Sequence, residues 1–231
     1  MKTGMIVLAG GVGKRMGQPI PKQFIMMGGK PIIAHVLEKA ERLADVEKVV
    51  ITCPGEYVAE TNDLLRHRNL SGRFCCIEGG ETRQDSVYNG LMALDGFDRV
   101  IVHEAVRPFV TYEEFRALID SEFDNAIYGT RIPFTVVAGH DYVEGTFERS
   151  ELVNVQLPQK FDRAKLVQAH EMARAEGARQ FTEDASLLFH YLKEPVRILE
   201  GSERNIKITE PTDLIIGEAI YGEYVLGRAQ D

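Results

Sequence analysis

A chain of 231 residues with a formal net charge of −8, 44% hydrophobic and 27% charged, is ordinary in composition and long enough to bury one sizeable core. The acidic balance excludes a nucleic-acid coat, which needs a basic surface, so any cations that matter must be clustered locally. The first apolar run, residues 5–9, is far too short to span a bilayer and nothing ahead of it resembles a signal peptide. A cytoplasmic protein with no membrane and no nucleic-acid partner is expected.

In chain order, short apolar runs predict strands at 5–8, 48–52, 74–77, 100–103 and 127–133. Amphipathic stretches between them predict helices at 32–43, 56–66, 86–94 and 112–120, the last opened by a capping box of Thr111 and Glu114. Strands alternating with helices imply an α/β fold, a Rossmann-like three-layer sandwich with a mostly parallel sheet covered on both faces. After Pro133 the rhythm breaks. Residues 140–150 (HDYVEGTFERS) read as a hairpin turning at Glu144 and Gly145, followed by a strand at 153–157. Asp162 should cap a helix over 162–176, and 183–192 should form another. Strands at 196–199 and 206–208 follow, and then Thr209 should cap a final helix with Pro211 in its first turn. One domain over 1–231 is expected, with an inserted arm over 139–152. Cys53, Cys75 and Cys76 form no CxxC pair and read as buried, reduced thiols.

The loop LAGGVGKRMGQPIPKQ, residues 8–23, sits between the first strand and a helix, where backbone N–H groups and the helix dipole favour an anion. It is not a P-loop: Arg15 follows Gly13-Lys14, and Leu8 stands where the first glycine belongs. Nor is it a full dinucleotide fingerprint, since Gly11 and Gly13 fit but Met16 takes the third place. Lys14, Arg15 and Lys22 crowd more positive charge here than a pyrophosphate held by backbone alone requires. A triphosphate undergoing substitution explains that density better. Taken alone, a glycine turn with solvated lysines explains the loop too. HEMAR at His170 lacks a second histidine for a zinc site and no GxSxG occurs. The adjacent Glu183 and Asp184 read as a dipole-matched helix N-terminus.

LAGGVGKRMG followed by PKQF resembles the signature of the sugar-nucleotide-type nucleotidyltransferases. EGGETRQDSVYNGL (78–91) resembles GGxxRxxSVxNGL, VHEAVRPFV (102–110) resembles VHDAARPF, and TEDASL (182–187) resembles TDDASL. NIKIT (205–209) matches outright, and LPQKF (157–161) is near TPQ-F. Together they narrow the resemblance to the cytidylyltransferases of small polyol phosphates, over residues 5 to about 220. Their two best-known acceptors are methylerythritol 4-phosphate and ribitol 5-phosphate.

The resemblance implies attack by a phosphate-monoester oxygen on the α-phosphorus of CTP, with release of pyrophosphate. Arg15, Lys22 and Lys207 would then be catalytic, meeting the charge of the transition state. Leu8, Ala9, Gly10, Gly11, Gly13 and Ala105 would follow the nucleotide, and Gly80, Glu81, Arg83 and Ser86 would line the base pocket. Glu104, Arg107, Arg149, Thr182 and Thr209 would serve the acceptor. Mg²⁺ would bridge phosphate oxygens, with Glu104, where the family carries Asp, as its protein ligand. Family members exchange hairpin arms across a two-fold axis, so a homodimer is implied, with Arg149 reaching the partner's acceptor site. The segment Pro133-Phe134-Thr135-Val136-Val137-Ala138-Gly139 lacks, at 136–139, the Asp-Thr-x-Lys that methylerythritol enzymes carry there. Together with LAGG for LAAG and AVRPF for AARPF, this leans toward the ribitol branch and leaves both acceptors open. A catalytically degenerate nucleotide-binding homologue, serving as an interaction module, is the alternative.

Overall fold

The computed structural model describes residues 1–11, 20–70 and 72–228. The chain begins with β1 (Thr3–Leu8), the short hairpin β2 (Met26–Met27) and β3 (Lys30–Pro31), and α1 (Ile32–Glu41). It continues through β4 (Val46–Cys53), α2 (Val58–His67), β5 (Phe74–Glu78), α3 (Arg83–Ala93), β6 (Arg99–Glu104), α4 (Tyr112–Asp120) and β7 (Ala126–Arg131). A second hairpin, β8 (Val137–Ala138) and β9 (Gly145–Thr146), precedes β10 (Val153–Asp162), α5 (Arg163–Ala175), α6 (Asp184–Leu192), β11 (Arg197–Glu200) and α7 (Pro211–Arg228).

Seven strands form one sheet in the order β11-β7-β10-β6-β1-β4-β5. All run parallel except β10, which is antiparallel to both of its neighbours. Alternation along β1 explains the layering. Met5 and Val7 join a core under α1, α2 and α4, with Ile33, Leu37, Leu65 and Phe115. Ile6 and Leu8 join the opposite core under α3, α5 and α6, with Val87, Leu91, Leu166 and Leu188. Two apolar faces, both covered, are what a parallel sheet demands.

Two of the three caps read from sequence form where they were expected. Thr111 accepts from the Glu114 N–H at 3.0 Å while the Glu114 carboxylate accepts from the Thr111 N–H at 2.6 Å, and Asp162 accepts from the Lys165 N–H at 2.9 Å. Three local expectations need correction. The hairpin turns over residues 139–144, not at Glu144 and Gly145. Gly139 takes a φ of +129°, a conformation that favours glycine, and the Glu144 N–H closes the turn on the Ala138 carbonyl. Residues 206–208 form no strand, because Asn205 and Ile206 donate locally to Ser202 and Arg204, while Ile208 donates to Val106 at 2.8 Å. At α7 the cap is reversed: the Asp213 carboxylate accepts from the Thr209 N–H, the Thr209 hydroxyl and the Glu210 N–H. Cys53, Cys75 and Cys76 are free thiols; Cys53 and Cys76 are buried, Cys75 only half-buried. No helix among the described residues is long and apolar enough to cross a membrane.

Candidate active site

In an open α/β sheet, ligands bind beyond the carboxyl ends of the strands, where the chain's direction of travel across the sheet reverses. Here that point lies between β1 and β6. β1 leads through α1 to β4 on one side, β6 lies on the other, and Leu8 stands in register with both Thr52 and Glu104. The backbone leaving the sheet is pinned at this edge by Ala9 N–H to Thr52 O (2.8 Å), Ala105 N–H to Leu8 O (2.9 Å) and Gly79 N–H to Cys53 O (2.8 Å).

A cavity of about 260 Å³ opens there. Leu8, Ala9, Gly10 and Gly11 form one wall, and Gly80, Glu81, Arg83 and Ser86 form another. Lys22, Glu104 and Lys207 complete it, from three segments far apart in sequence. A side chain at Gly11 would overlap that of Lys22, so glycine is what lets the lysine cross the loop. Ser86 shapes the second wall: its hydroxyl accepts from the Gly80 N–H at 3.0 Å and donates to the Thr82 carbonyl at 2.9 Å.

Other expected residues fall elsewhere. Ala105 is fully buried behind the wall. Arg107 stands beside the cavity, donating from Nε to Glu104 Oε2 at 3.0 Å and from Nη1 to the Asn205 carbonyl at 2.9 Å. Thr182 is exposed, Thr209 is tied to Asp213, and the exposed Arg149 donates to the Pro133 carbonyl at 3.2 Å, so none of these three lines the cavity. Gly13 and Arg15 lie outside the described residues. Sequence reasoning passed over Gln23, fully buried in PKQF, which donates to the Ala9 carbonyl at 2.8 Å and steadies the glycine strand. It also passed over the role of Asp184, whose carboxylate lies 2.8 Å from the Arg83 guanidinium. A larger cavity, about 390 Å³, lies between α1 and the start of α4, and none of the expected site residues lines it.

Electrostatics bind the centre together. Lys207 Nζ stands 2.7 Å from Glu104 Oε1, opposite Arg107 on the other oxygen. Burial alone would raise the Glu104 carboxyl; the Lys207 and Arg107 charges outweigh it and hold it down at about 2. His103, fully buried one residue earlier, is pushed down to about 3 by desolvation and stays neutral. Both shifts carry the same sign for stability. The unfolded chain takes up a proton at His103 below about 6.5 and at Glu104 below about 4.5, and the native state resists both down to about 3 and about 2. Stability is therefore fully present above pH 6.5 and falls as pH drops, by about 1.4 kcal/mol per pH unit for each proton involved. Urea unfolding at pH 7 and pH 5 should show this loss, and His103→Gln should reduce it, the remainder coming in part from His35, which burial also shifts down. A wild-type stability that is flat between pH 7 and pH 5 would contradict the burial of a neutral His103.

The sequence model of the IspD family, described as 2-C-methyl-D-erythritol 4-phosphate cytidylyltransferase, matches residues 4–223. The chain belongs to the IspD family. A relative from Geobacillus kaustophilus named 2-C-methyl-D-erythritol 4-phosphate cytidylyltransferase is 38% identical, over 95% of this chain and 97% of that protein. One of the same name from Halalkalibacterium halodurans is 37% identical over 96% and 98%. Among solved structures, the 4-diphosphocytidyl-2C-methyl-D-erythritol synthase of Anaerococcus prevotii superposes with a TM-score of 0.82 at 29% identity, over 95% of this chain and 96% of that one. The IspD of Francisella tularensis superposes with a TM-score of 0.80 at 27% identity, over 95% and 100%. As an IspD-family member the chain is a CTP-dependent nucleotidyltransferase, and the resemblance read from its motifs is borne out at the level of family, fold and reaction type.

Proposed function

We propose that this chain transfers the CMP unit of CTP to 2-C-methyl-D-erythritol 4-phosphate and releases pyrophosphate. The observation that carries it is the cavity itself, where Lys22, Arg83 and Lys207 meet the glycine backbone of residues 9–11 at the carboxyl edge of the sheet. Two polyanions must be brought together there, and converging cations offset their repulsion. A phosphate oxygen of the acceptor attacks the α-phosphorus of CTP, a new P–O bond forms, and the bond to the β-phosphate breaks as pyrophosphate leaves. Lys22 meets the charge that builds on the phosphoryl group, joined by Arg15 as the family pattern implies. Lys207, paired with Glu104, meets the phosphates as a mobile point charge. Each Glu104 oxygen has a second lone pair to accept a hydrogen bond from a hydroxyl of the acceptor.

Magnesium fits this site in one limited way. Among the described residues no three His, Cys, Asp or Glu side chains converge as a ready-made metal cage. Mg²⁺ is commonly held by one or two carboxylates plus substrate phosphates, and Glu104 offers one carboxylate with a spare lone pair on each oxygen. Bound there, the ion would supply further neutralisation of phosphate charge.

The proposed assembly is a homodimer joined by the arm. Phe134, Tyr142, Val143 and Phe147 are 75%, 83%, 68% and 53% exposed, an apolar surface that a stable monomer rarely leaves bare. A hairpin with two residues per strand is marginal alone, and the exposed Arg149 beside it does not line the candidate cavity of its own chain. A second copy would cover the apolar residues and receive the arginine.

Nucleotide choice tests the proposal. Gly10 and Gly11 on one wall face Gly80 and Ser86 on the other, where backbone and short polar groups can read the edge of a pyrimidine. Pyrophosphate release with 2-C-methyl-D-erythritol 4-phosphate is expected with CTP and not with ATP. Equal release from ATP would contradict the assignment.

A further inference from the structure

Asp184 opens α6, yet it is not needed there as a cap. Glu183 already fills that role, its carboxylate accepting from the Asp184 N–H at 2.8 Å. The Asp184 side chain instead runs inward and is only 1% exposed. Its Oδ2 lies 2.8 Å from Arg83 Nη2 at the start of α3, and its Oδ1 lies 3.2 Å from His170 Nε2 on α5. His170 is fully buried. Three helices thus converge on one carboxylate, and its guanidinium partner lines the nucleotide cavity beside Gly80 and Ser86.

A carboxylate buried at this depth is costly unless it is paired, and an apolar contact would join the three helices as well. A fork-shaped guanidinium held by a fixed carboxylate, however, has one orientation, which a site for a charged ligand needs. From this geometry we infer that Asp184, steadied by His170, is a positioning residue that aims Arg83 into the nucleotide pocket. The TEDASL segment then serves CTP binding through Arg83, while its exposed Thr182 lies outside the cavity. The Glu183 and Glu104 charges also favour the charged guanidinium of Arg83. The inference rests on the CTP reading above.

The test is a double-mutant cycle on CTP affinity, measured by calorimetry with folded protein verified by circular dichroism. Asp184→Asn keeps the shape and removes the charge, and loss of a charge-assisted contact should weaken CTP binding by about tenfold or more. His170→Gln, the gentler variant should Asp184→Asn fail to fold, should weaken it in the same direction by a smaller factor. In an Arg83→Ala background neither change should weaken CTP further, and the acceptor KM should move little in any variant. Unaltered CTP affinity in folded His170→Gln and Asp184→Asn, or full additivity with Arg83→Ala, would overturn the inference while leaving the CTP reading intact. Wild-type protein that binds no CTP would instead remove that reading, and this inference with it.

Discussion

Replacing Lys22 with alanine is expected to lower kcat by about two to three orders of magnitude, because one preorganised charge facing a developing charge supplies roughly 3–4 kcal/mol. The fold should survive. Lys22 opens a short turn over Lys22–Phe24 held by backbone bonds, the Phe24 N–H to Pro21 and the Ile25 N–H to Lys22, which alanine keeps. The apolar packing around the turn comes from Ile25 and Phe24, not from the lysine. Lys207→Ala should cost turnover on a similar scale for a second reason as well. It leaves the buried Glu104 with Arg107 as its one ion-pair partner among the described residues, so the carboxyl should titrate higher and the acid limb of the rate profile should move up in pH. Turnover near wild type in both variants, with thermal midpoints unchanged, would remove the proposed chemistry from this cavity.

Deleting residues 141–148 is the second change with a large expected effect. The deletion removes Tyr142, Val143 and Phe147 while leaving the seven-stranded sheet and both cores whole. A monomer should result, visible by sedimentation at micromolar concentration. CTP should still bind, since the cavity walls come from β1, the β5–α3 loop and β6. Turnover should fall by about a hundredfold, the order expected when a substrate-positioning group is lost. Arg149→Ala, with the arm kept, should remain dimeric and raise the KM for the acceptor. An intact protein that sediments as a fully active monomer would rule out the exchanged arm.

Much of this site is legible in the sequence because strand ends are. Parallel strands read as apolar runs, and their C-terminal neighbours, Gly10-Gly11, Gly79-Gly80 and Glu104-Ala105, must then meet along one edge. What sequence hides is partnership at long range. Glu104 and Lys207 are 103 positions apart, and nothing local marks them as a pair. Asp184 beside Glu183 looks like a second charge at a helix start, and only the packing of α3 against α5 turns it inward. Two of the residues behind the leaning toward ribitol phosphate also have a packing account. Val106, in AVRPF, packs with Ile25, Met27, Ile32, Phe109 and Ile208, so its extra bulk over alanine answers to a core. At Gly10, in LAGG, a Cβ would meet nothing closer than Ser86 Oγ at 4.0 Å, so alanine and glycine fit alike. Both residues also line the cavity, and the relatives compared above carry the methylerythritol name over nearly their full length.

The most direct measurement is pyrophosphate release from CTP by the purified full chain with 2-C-methyl-D-erythritol 4-phosphate and with D-ribitol 5-phosphate as separate acceptors, the products identified by mass. The proposal predicts stoichiometric pyrophosphate and a cytidine diphosphate ester of methylerythritol, with kcat/KM for ribitol 5-phosphate lower by about a hundredfold, the scale on which a pocket rejects a substrate of the wrong size. Release with ribitol 5-phosphate and none with the methylerythritol compound, or no release with either, would contradict it.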